Sequence, residues 1–117
     1  MKELLVEILE RFCPDSVFLQ GTINSDEAYP QKFITFFVTD SPFDDFYDNE
    51  ANKINWYVYV YFYSSNPREV LDIPPQIIRT LRENGFIPRG AGIDLLSDVK
   101  SHTGWAMEFI FRENYTN

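Results

Sequence analysis

The segment from Ile54 to Tyr63 has the clearest pattern of hydrophobic and polar positions in the chain. Apolar residues alternate there with polar or tyrosine residues, and a period of two puts the two sets on opposite faces of one β-strand. The first set is Ile54, Trp56, Val58, Val60 and Phe62. The second set is Asn55, Tyr57, Tyr59, Tyr61 and Tyr63. The pattern predicts a strand with one core face and one tyrosine stripe, Tyr57 to Tyr63.

The first residues of the chain have a helical pattern instead. Apolar side chains recur at the i, i+3, i+4 spacing of a helix that lies on a core. These residues are Leu4, Leu5, Ile8, Leu9 and Phe12. Because the residue before a proline disfavours the helical region, we expect Pro14 to end a helix over 2–12.

A second helical region follows the long strand. Asn66 is a typical N-cap and Pro67 suits the first helical position. Gly85 is expected just after the helix end, where a left-handed residue is favoured. Because Pro74 and Pro75 interrupt the region, we expect a short turn at 67–72 and a main helix at about 74–84. Its apolar stripe is Ile77, Ile78 and Leu81.

The remaining segments predict strands joined by loops. Strands are expected at 17–23, 33–39, 87–96 and 105–112, and 113–117 resembles a frayed tail. The glycines Gly90 and Gly92 predict a bend or bulge in the strand at 87–96. The order α-β-β-β-α-β-β predicts one α+β domain over 1–117, with a mainly antiparallel sheet and helices on one face.

The segment 40–52, DSPFDDFYDNEAN, combines acidic and aromatic residues and contains no cation. Its acids include Asp44, Asp45, Asp48 and Glu50, and its aromatic residues are Phe43, Phe46 and Tyr47. The acids do not have the spacing of a calcium-binding loop, which also needs a glycine. A solvated connection between strands and a contact with a partner both remain open for this loop.

Composition narrows the possible partners. The 117 residues carry 10 Lys+Arg and 18 Asp+Glu, a net charge of −8. Because phosphate backbones are bound by cations, we expect no sequence-specific nucleic-acid binding. No apolar run reaches the roughly 18 residues of a membrane span, so no membrane partner is expected. The one cysteine, Cys13, cannot pair within the chain and is interpreted as a small buried residue in a reducing compartment.

Catalytic patterns are missing from the sequence. His102 is the single histidine, which excludes a histidine cluster for a metal, and its polar surroundings predict a solvated turn residue. Neither a G-x-S-x-G nucleophile motif nor a phosphate-binding G-x-x-x-x-G-K-[ST] motif is present. We therefore predict that the protein is not an enzyme and has no catalytic residue, cofactor or metal.

The tyrosine stripe is the best functional indication in the sequence. A single sheet with helices on one side leaves its other face to be explained, and contiguous aromatic patches usually mark interaction sites. Tyrosine is enriched at protein interfaces. We therefore predict a protein interface formed by these residues: Tyr57, Tyr59, Tyr61, Tyr63, Phe43, Phe46 and Tyr47.

Three segments resemble the tail terminator, or tail completion, proteins of long-tailed bacteriophages and prophages. They are FITFFVTDSPFDDFYDNEANKINWYVYVYFYSS, the helix end LRENGF, and RGAGIDLLSDVKSHTGWAMEFIF. The resemblance implies a ring, usually a hexamer, on the end of the tail tube. Such a ring stops tube growth, offers a surface to the head connector and lets DNA pass through its centre. It would assemble in the bacterial host cytoplasm and remain in the virion tail or neck.

The resemblance also suggests roles for individual regions. The tyrosine stripe would be buried between neighbouring subunits. The acidic residues Asp44, Asp45, Asp48 and Glu50 would face the lumen or an assembly partner, where they would repel DNA phosphates. Gly90, Gly92 and His102 would form a flexible arm that contacts the tube.

Other functions remain open from the sequence. One is a head-completion or neck connector protein of the same phage. A second is a small cytoplasmic regulatory or ligand-binding α+β module, which would have a closed pocket and a fixed dimer. An inhibitor that mimics DNA has less support, because the acids concentrate in one loop. An enzyme that uses scattered carboxylates has no supporting motif.

Overall fold

The computed structural model describes residues 1–19, 30–40, 53–95 and 101–114, which form an α+β fold. Its elements are α1 (Lys2–Glu10), β1 (Val17–Leu19), β2 (Lys32–Asp40), β3 (Lys53–Ser64), α2 (Pro67–Glu83), β4 (Ile87–Pro88), β5 (Ile93–Leu95) and β6 (Thr103–Asn114). The predicted fold class and the order of elements are confirmed, with the strand predicted at 87–96 divided into β4 and β5. The predicted acidic loop lies outside the described residues, apart from Asp40.

The described strands form one sheet in the order β1-β2-β3-β6-β4, and β5 also pairs with β6. All pairs are antiparallel except β1 with β2. The long strands β3 and β6 pair along their whole lengths at the centre of the sheet, and β5 pairs antiparallel with the start of β6. The prediction of a mainly antiparallel sheet is confirmed.

Both helices contribute to a core on one face of the sheet. Leu5, Ile8 and Leu9 of α1 and Ile77 and Leu81 of α2 are fully buried. They belong to one cluster with the core-facing residues of the central strands: Val58, Val60, Phe62, Met107 and Phe109. Full burial of one such aliphatic or aromatic side chain stabilises a fold by about 1.5–3 kcal/mol.

Helix α2 corrects the prediction of a turn followed by a separate helix. It runs without a break from Pro67 to Glu83 and contains Pro74 and Pro75 in its interior. A proline inside a helix removes a hydrogen bond and costs about 3 kcal/mol. Pro74 is fully buried with the apolar face of the same helix, so packing on the sheet offsets part of this cost.

Both ends of α2 agree with the sequence prediction. At the start, Asn66 Oδ1 accepts a hydrogen bond from the backbone N–H of Arg68 at 3.0 Å. At the end, Gly85 has a φ of 94° and Phe86 N donates to Leu81 O at 3.0 Å. This pair of features is a Schellman motif, which satisfies carbonyl groups at the helix end.

The other boundaries differ from prediction by a few residues. Helix α1 ends at Glu10 and not at residue 12, although residues 11–13 continue in a turn. The predicted tail at 113–117 begins within β6, where Glu113 pairs with Ile54. Glu113 also accepts a hydrogen bond from Trp56 Nε1 at 3.0 Å. This indole contact and the ladder with β3 hold the end of β6 in the sheet.

Candidate protein-interaction site

The sheet face opposite the helices is the candidate site, and we call it the tyrosine face. In the antiparallel register, Tyr59 lies opposite Phe37 of β2 and Glu108 of β6, so these side chains share one face. The same register gives the other members. They include Phe33, Tyr57, Tyr61, Tyr63, Ala106 and Ile110, with Ile87 of β4 and Ile93 of β5 beside β6, and the threonines Thr35 and Thr39 of β2.

The aromatic rings of β2 and β3 stack in pairs across the strands. The ring centroids of Phe37 and Tyr59 are 4.5 Å apart, with an interplanar angle of 13°. Phe37 also stacks with Tyr61 at 6.0 Å, and Phe33 stacks with Tyr63 at 4.8 Å. Such pairs contribute about 0.5–1.5 kcal/mol beyond area burial. The stacking holds the rings of Tyr59, Tyr61 and Tyr63 in place on the sheet.

Much of this surface remains in contact with solvent. The four tyrosines of the stripe are half-buried, and Ile87 and Ile93 are 50% and 66% exposed. Both helices of the described chain contribute to the core on the opposite side of the sheet. The face therefore has the composition of a protein interface, in which aromatic residues are enriched.

An ion pair lies within the aromatic surface. Arg89 Nη1 is 3.0 Å from Glu108 Oε1, and the guanidinium carbon is 5.6 Å from the centroid of the Tyr57 ring. Burial raises the pKa of Tyr59, and the charge of Glu108 and a hydrogen bond to it raise that pKa further. Burial likewise raises the pKa of Tyr61, with smaller contributions from Tyr59 and Glu108. Both tyrosines are therefore neutral near pH 7.

A groove of about 370 Å³ separates the tyrosine stripe from the bend between β4 and β5. Tyr59 and Tyr61 line one side, and Ile93 and the bend line the other. Arg89 and Glu108 also line the groove. Sequence reasoning missed Arg89, Ile93 and Glu108 as residues of the site. The alternation in β6 could have put Glu108 on this face, but only the register places it beside Tyr59.

The bend itself agrees with the predicted bulge. Arg89 N donates to Glu108 O at 2.8 Å, after which residues 90–92 leave the sheet before β5 pairs with β6 again. Gly90 and Gly92 have φ values of 85° and 106°, in the region that favours glycine. Trp105 Nε1 donates to the Ala91 carbonyl at 2.9 Å and ties the bend to the sheet.

The prediction that His102 is a solvated turn residue is wrong. Its side chain is buried at 7% exposure, and its ring centroid lies 5.5 Å from that of Phe33. Nε2 is 2.8 Å from the Pro30 carbonyl, which can only accept, so Nε2 carries a hydrogen. In the neutral ring, Nδ1 then accepts from the Ser101 hydroxyl at 2.8 Å. His102 therefore anchors residue 30 to the start of β6, and it does not form an exposed arm with Gly90 and Gly92.

Two groups of predicted site residues lie outside the described residues. They are the interface residues Phe43, Phe46 and Tyr47 and the acidic-loop residues Asp44, Asp45, Asp48 and Glu50. Of the predicted set, the structure therefore brings together the four tyrosines, with Gly90 and Gly92 beside the groove. The aromatic partners from β2 were expected as strand residues but not as part of the site. Their position follows from the pairing of β2 with β3.

Cys13 has the properties expected of a small core residue. Its side chain is 1% exposed. Burial raises the pKa of the thiol to about 11, with a smaller opposing effect from Lys32. Because the thiolate is the reactive form, this thiol is not suited to nucleophilic chemistry. Across the described ranges, no three histidine, cysteine or acidic side chains are grouped so that they could hold a metal ion.

Comparisons with known proteins leave the site to be interpreted from its geometry. No protein-family profile matches the chain, and neither curated protein sequences nor solved structures give a match. Among the described residues, no helix is long and apolar enough to cross a membrane.

Proposed function

We propose that this protein is a structural assembly protein that forms a homo-oligomeric ring and acts as a phage tail terminator. The ring would sit on the end of the tail tube, stop its growth and join it to the head connector. The observation that supports this proposal most is the tyrosine face, a preorganised aromatic surface that lies away from the protein's own helices. The resemblance of the sequence to tail terminators supplies the biological setting.

Assembly through this face has a clear physical driving force. Stacked tyrosines supply a large contact area with little loss of side-chain freedom, because Phe33 and Phe37 already hold their rings. The exposed Ile93 adds apolar area at the edge of the same surface. Arg89 and Glu108 give the surface a polar centre that fixes orientation.

The net charge of −8 fits a ring through which DNA passes. A strongly acidic lumen repels phosphates and keeps DNA from adhering. In this proposal the acidic residues Asp44, Asp45 and Asp48 face the lumen or an assembly partner. Their replacement by lysine should impair assembly or DNA passage, which a phage infectivity assay measures. Unchanged infectivity would contradict this role of the acidic loop.

The solution mass across a concentration series, measured by light scattering, tests the ring. We expect a hexamer-sized species that dissociates when Tyr59→Asp or Tyr61→Asp puts a charge into the aromatic surface. Tyr59→Phe is the matched control, since it keeps the ring stack and should assemble. A tight dimer that survives Tyr59→Asp would favour the regulatory-module function instead.

Binding to purified phage parts tests the biological role. Addition of the protein to purified tail tubes should give one ring per tube end in electron micrographs, whereas heads should bind none. Binding to heads and not to tubes would favour the alternative of a head-completion or neck connector protein.

A further inference from the structure

The C-terminal end of α2 carries the one Asn-Gly dipeptide of the sequence, Asn84 and Gly85. In such a pair, the main-chain nitrogen of the glycine can attack the side-chain amide carbon of the asparagine. Glycine favours this attack because it has no Cβ to obstruct a close approach of the backbone. Both residues are exposed, so water reaches the pair. The reactants for spontaneous deamidation are therefore present at this end of the helix.

The native conformation keeps the two reacting atoms apart. Asn84 has a ψ of 19°, which turns Gly85 N towards the main-chain nitrogen of Asn84 and hence away from its side chain. Asn84 Nδ2 donates to Thr80 O at 2.8 Å, and Gly85 N donates to Arg82 O at 3.3 Å. Helix carbonyls thus hold both the leaving amide and the attacking nitrogen. Closure of the five-membered ring requires this end of the helix to open.

The core keeps the helix end closed. Phe86 N donates to Leu81 O at 3.0 Å, and the Phe86 side chain is fully buried. Its ring centroid lies 4.7 Å from that of Phe111 in β6. An apolar contact just after the helix commonly accompanies this type of helix end. Because opening would disturb these contacts, we expect the open form to be a minor population of the native protein.

We infer that Asn84 is a deamidation site whose modification is controlled by opening of the α2 C-terminus. In the open form, Gly85 N bonds to Asn84 Cγ, the bond from Cγ to Nδ2 breaks, and the Gly85 N–H proton leaves with that nitrogen as ammonia. Solvent water then opens the cyclic imide. Attack of water at Cγ gives aspartate, and attack at the main-chain carbonyl carbon of residue 84 gives isoaspartate. This inference is independent of the proposed function.

The product does not fit the closed helix end. A carboxylate only accepts hydrogen bonds, so it cannot replace the amide that donates to Thr80 O. It also puts a negative charge at the C-terminal end of α2, which the helix dipole disfavours. Isoaspartate in addition lengthens the main chain by one carbon directly before Gly85, whose φ is 94°. Deamidation therefore weakens the connection from α2 to Phe86, and hydrolysis gives the change one direction.

Peptide mass spectrometry after incubation in mildly alkaline buffer measures the rate of the reaction. Trypsin releases residues 83–89, which contain Asn84, and residues 54–68, which contain Asn66. Asn66 precedes Pro67, which has no N–H for the attack, and is the internal control. We expect 83–89 to exchange an amino group for a hydroxyl at least about tenfold faster in guanidinium chloride than in the native protein. A tenfold difference corresponds to an opening free energy of about 1.4 kcal/mol.

Two variants with the same change in charge test the consequence for the fold. Asn84→Asp puts the carboxylate at the C-terminal end of α2. Asn66→Asp puts it at the N-terminal end of the same helix, where aspartate is a good cap and the dipole favours it. We expect faster amide hydrogen exchange at Phe86 and a lower Tm for Asn84→Asp only. Asn66→Asp should keep the wild-type values or exceed the wild-type Tm.

Three outcomes would overturn the inference. An equal deamidation rate in native and unfolded protein would show that the helix end does not control the reaction. An unmodified peptide 83–89 from the unfolded protein would show that Asn84 is not a deamidation site. Wild-type hydrogen exchange at Phe86 in Asn84→Asp would show that a carboxylate fits the closed helix end.

Discussion

Gly92 lies where the edge of the sheet returns from the bend to β5, and its surroundings leave no space for a side chain. Its φ is 106°, and a Cβ atom would lie 2.6 Å from the Ala106 carbonyl oxygen and would overlap the Trp105 indole. Gly90, at the start of the same bend, has a φ of 85° with nothing within 4 Å of its Cβ position. An alanine at Gly90 would therefore introduce backbone strain alone, whereas an alanine at Gly92 would introduce both backbone strain and a steric conflict.

We expect Gly92→Ala to lower the free energy of unfolding by about 3 kcal/mol or more. It combines a positive-φ penalty of about 1–2 kcal/mol with an overpacking cost of similar or larger size. Gly90→Ala is the matched control and should cost only the backbone penalty. Urea unfolding of both variants measures the difference. Equal costs would show that the bend moves away from Trp105 without loss of stability.

Cys13 determines part of the response to alkaline pH. Its folded-state pKa of about 11 lies above the ordinary thiol value of 9.0 because the thiol is buried. Stability from this group is fully present below pH 9 and is lost as the pH rises through 11. Wild type should therefore lose stability over this range more steeply than Cys13→Ala, in thermal unfolding at a series of pH values. Parallel curves would contradict this assignment.

The same burial makes a prediction at neutral pH. Thiol labelling of the native protein at pH 8 should be slow, because the thiol is both neutral and covered. Labelling in denaturant should be fast and complete. Rapid labelling under native conditions would indicate that α1 opens readily from the sheet.

At the scale of elements, α2 shows how packing overrides local preference. Two adjacent prolines predict a break, and yet the helix continues because its buried residues recur at helical spacing through the prolines. Pro74 takes part in this burial, but Pro75 is exposed. The two prolines are thus chemically alike and differ in what they contact.

Pro75→Ala is expected to raise the free energy of unfolding by about 1–3 kcal/mol. Alanine restores a backbone N–H and removes the ring clash, although the unfolded chain gains some freedom. Pro74→Ala should be less favourable, because it also removes buried apolar atoms. Thermal unfolding of the two variants provides the comparison. Lower stability of Pro75→Ala would indicate that its ring makes a contact the helix depends on.

For the whole molecule, net charge opposes self-association. Each copy carries −8, so bringing copies together costs electrostatic free energy that salt screens. We expect the weight-average mass at fixed concentration to rise between about 0.05 M and about 0.5 M NaCl, as the Debye length falls from above to below about 10 Å. The Tyr59→Asp variant, which the proposed function expects to be monomeric, should show no change. A mass that falls with salt would mean that electrostatic attraction between groups on neighbouring subunits outweighs the repulsion between their net charges.

Much of the fold could be predicted from the sequence. The strict alternation over β3 predicts its two faces, because side-chain direction in a strand depends only on position. Asn66 and Gly85 mark the ends of α2 through local hydrogen bonds and backbone conformation. These features need no information from distant parts of the chain, and so the fold class and the tyrosine stripe could be read directly.

The rest was decided by tertiary structure, because it depends on which segments become neighbours. The register of β3 with β6 places Glu108 beside Tyr59, and Arg89 joins them through its ion pair with Glu108. No local sequence pattern predicts this arrangement. His102 lies in a polar stretch of sequence, but a carbonyl 72 positions earlier in the chain receives its hydrogen bond and allows its burial. Helix α2 continues through its prolines because the sheet compensates for the lost hydrogen bonds. The sequence by itself determined the fold class, the order of the elements and the two faces of β3, whereas long-range packing decided the continuity of α2 and the composition of the site.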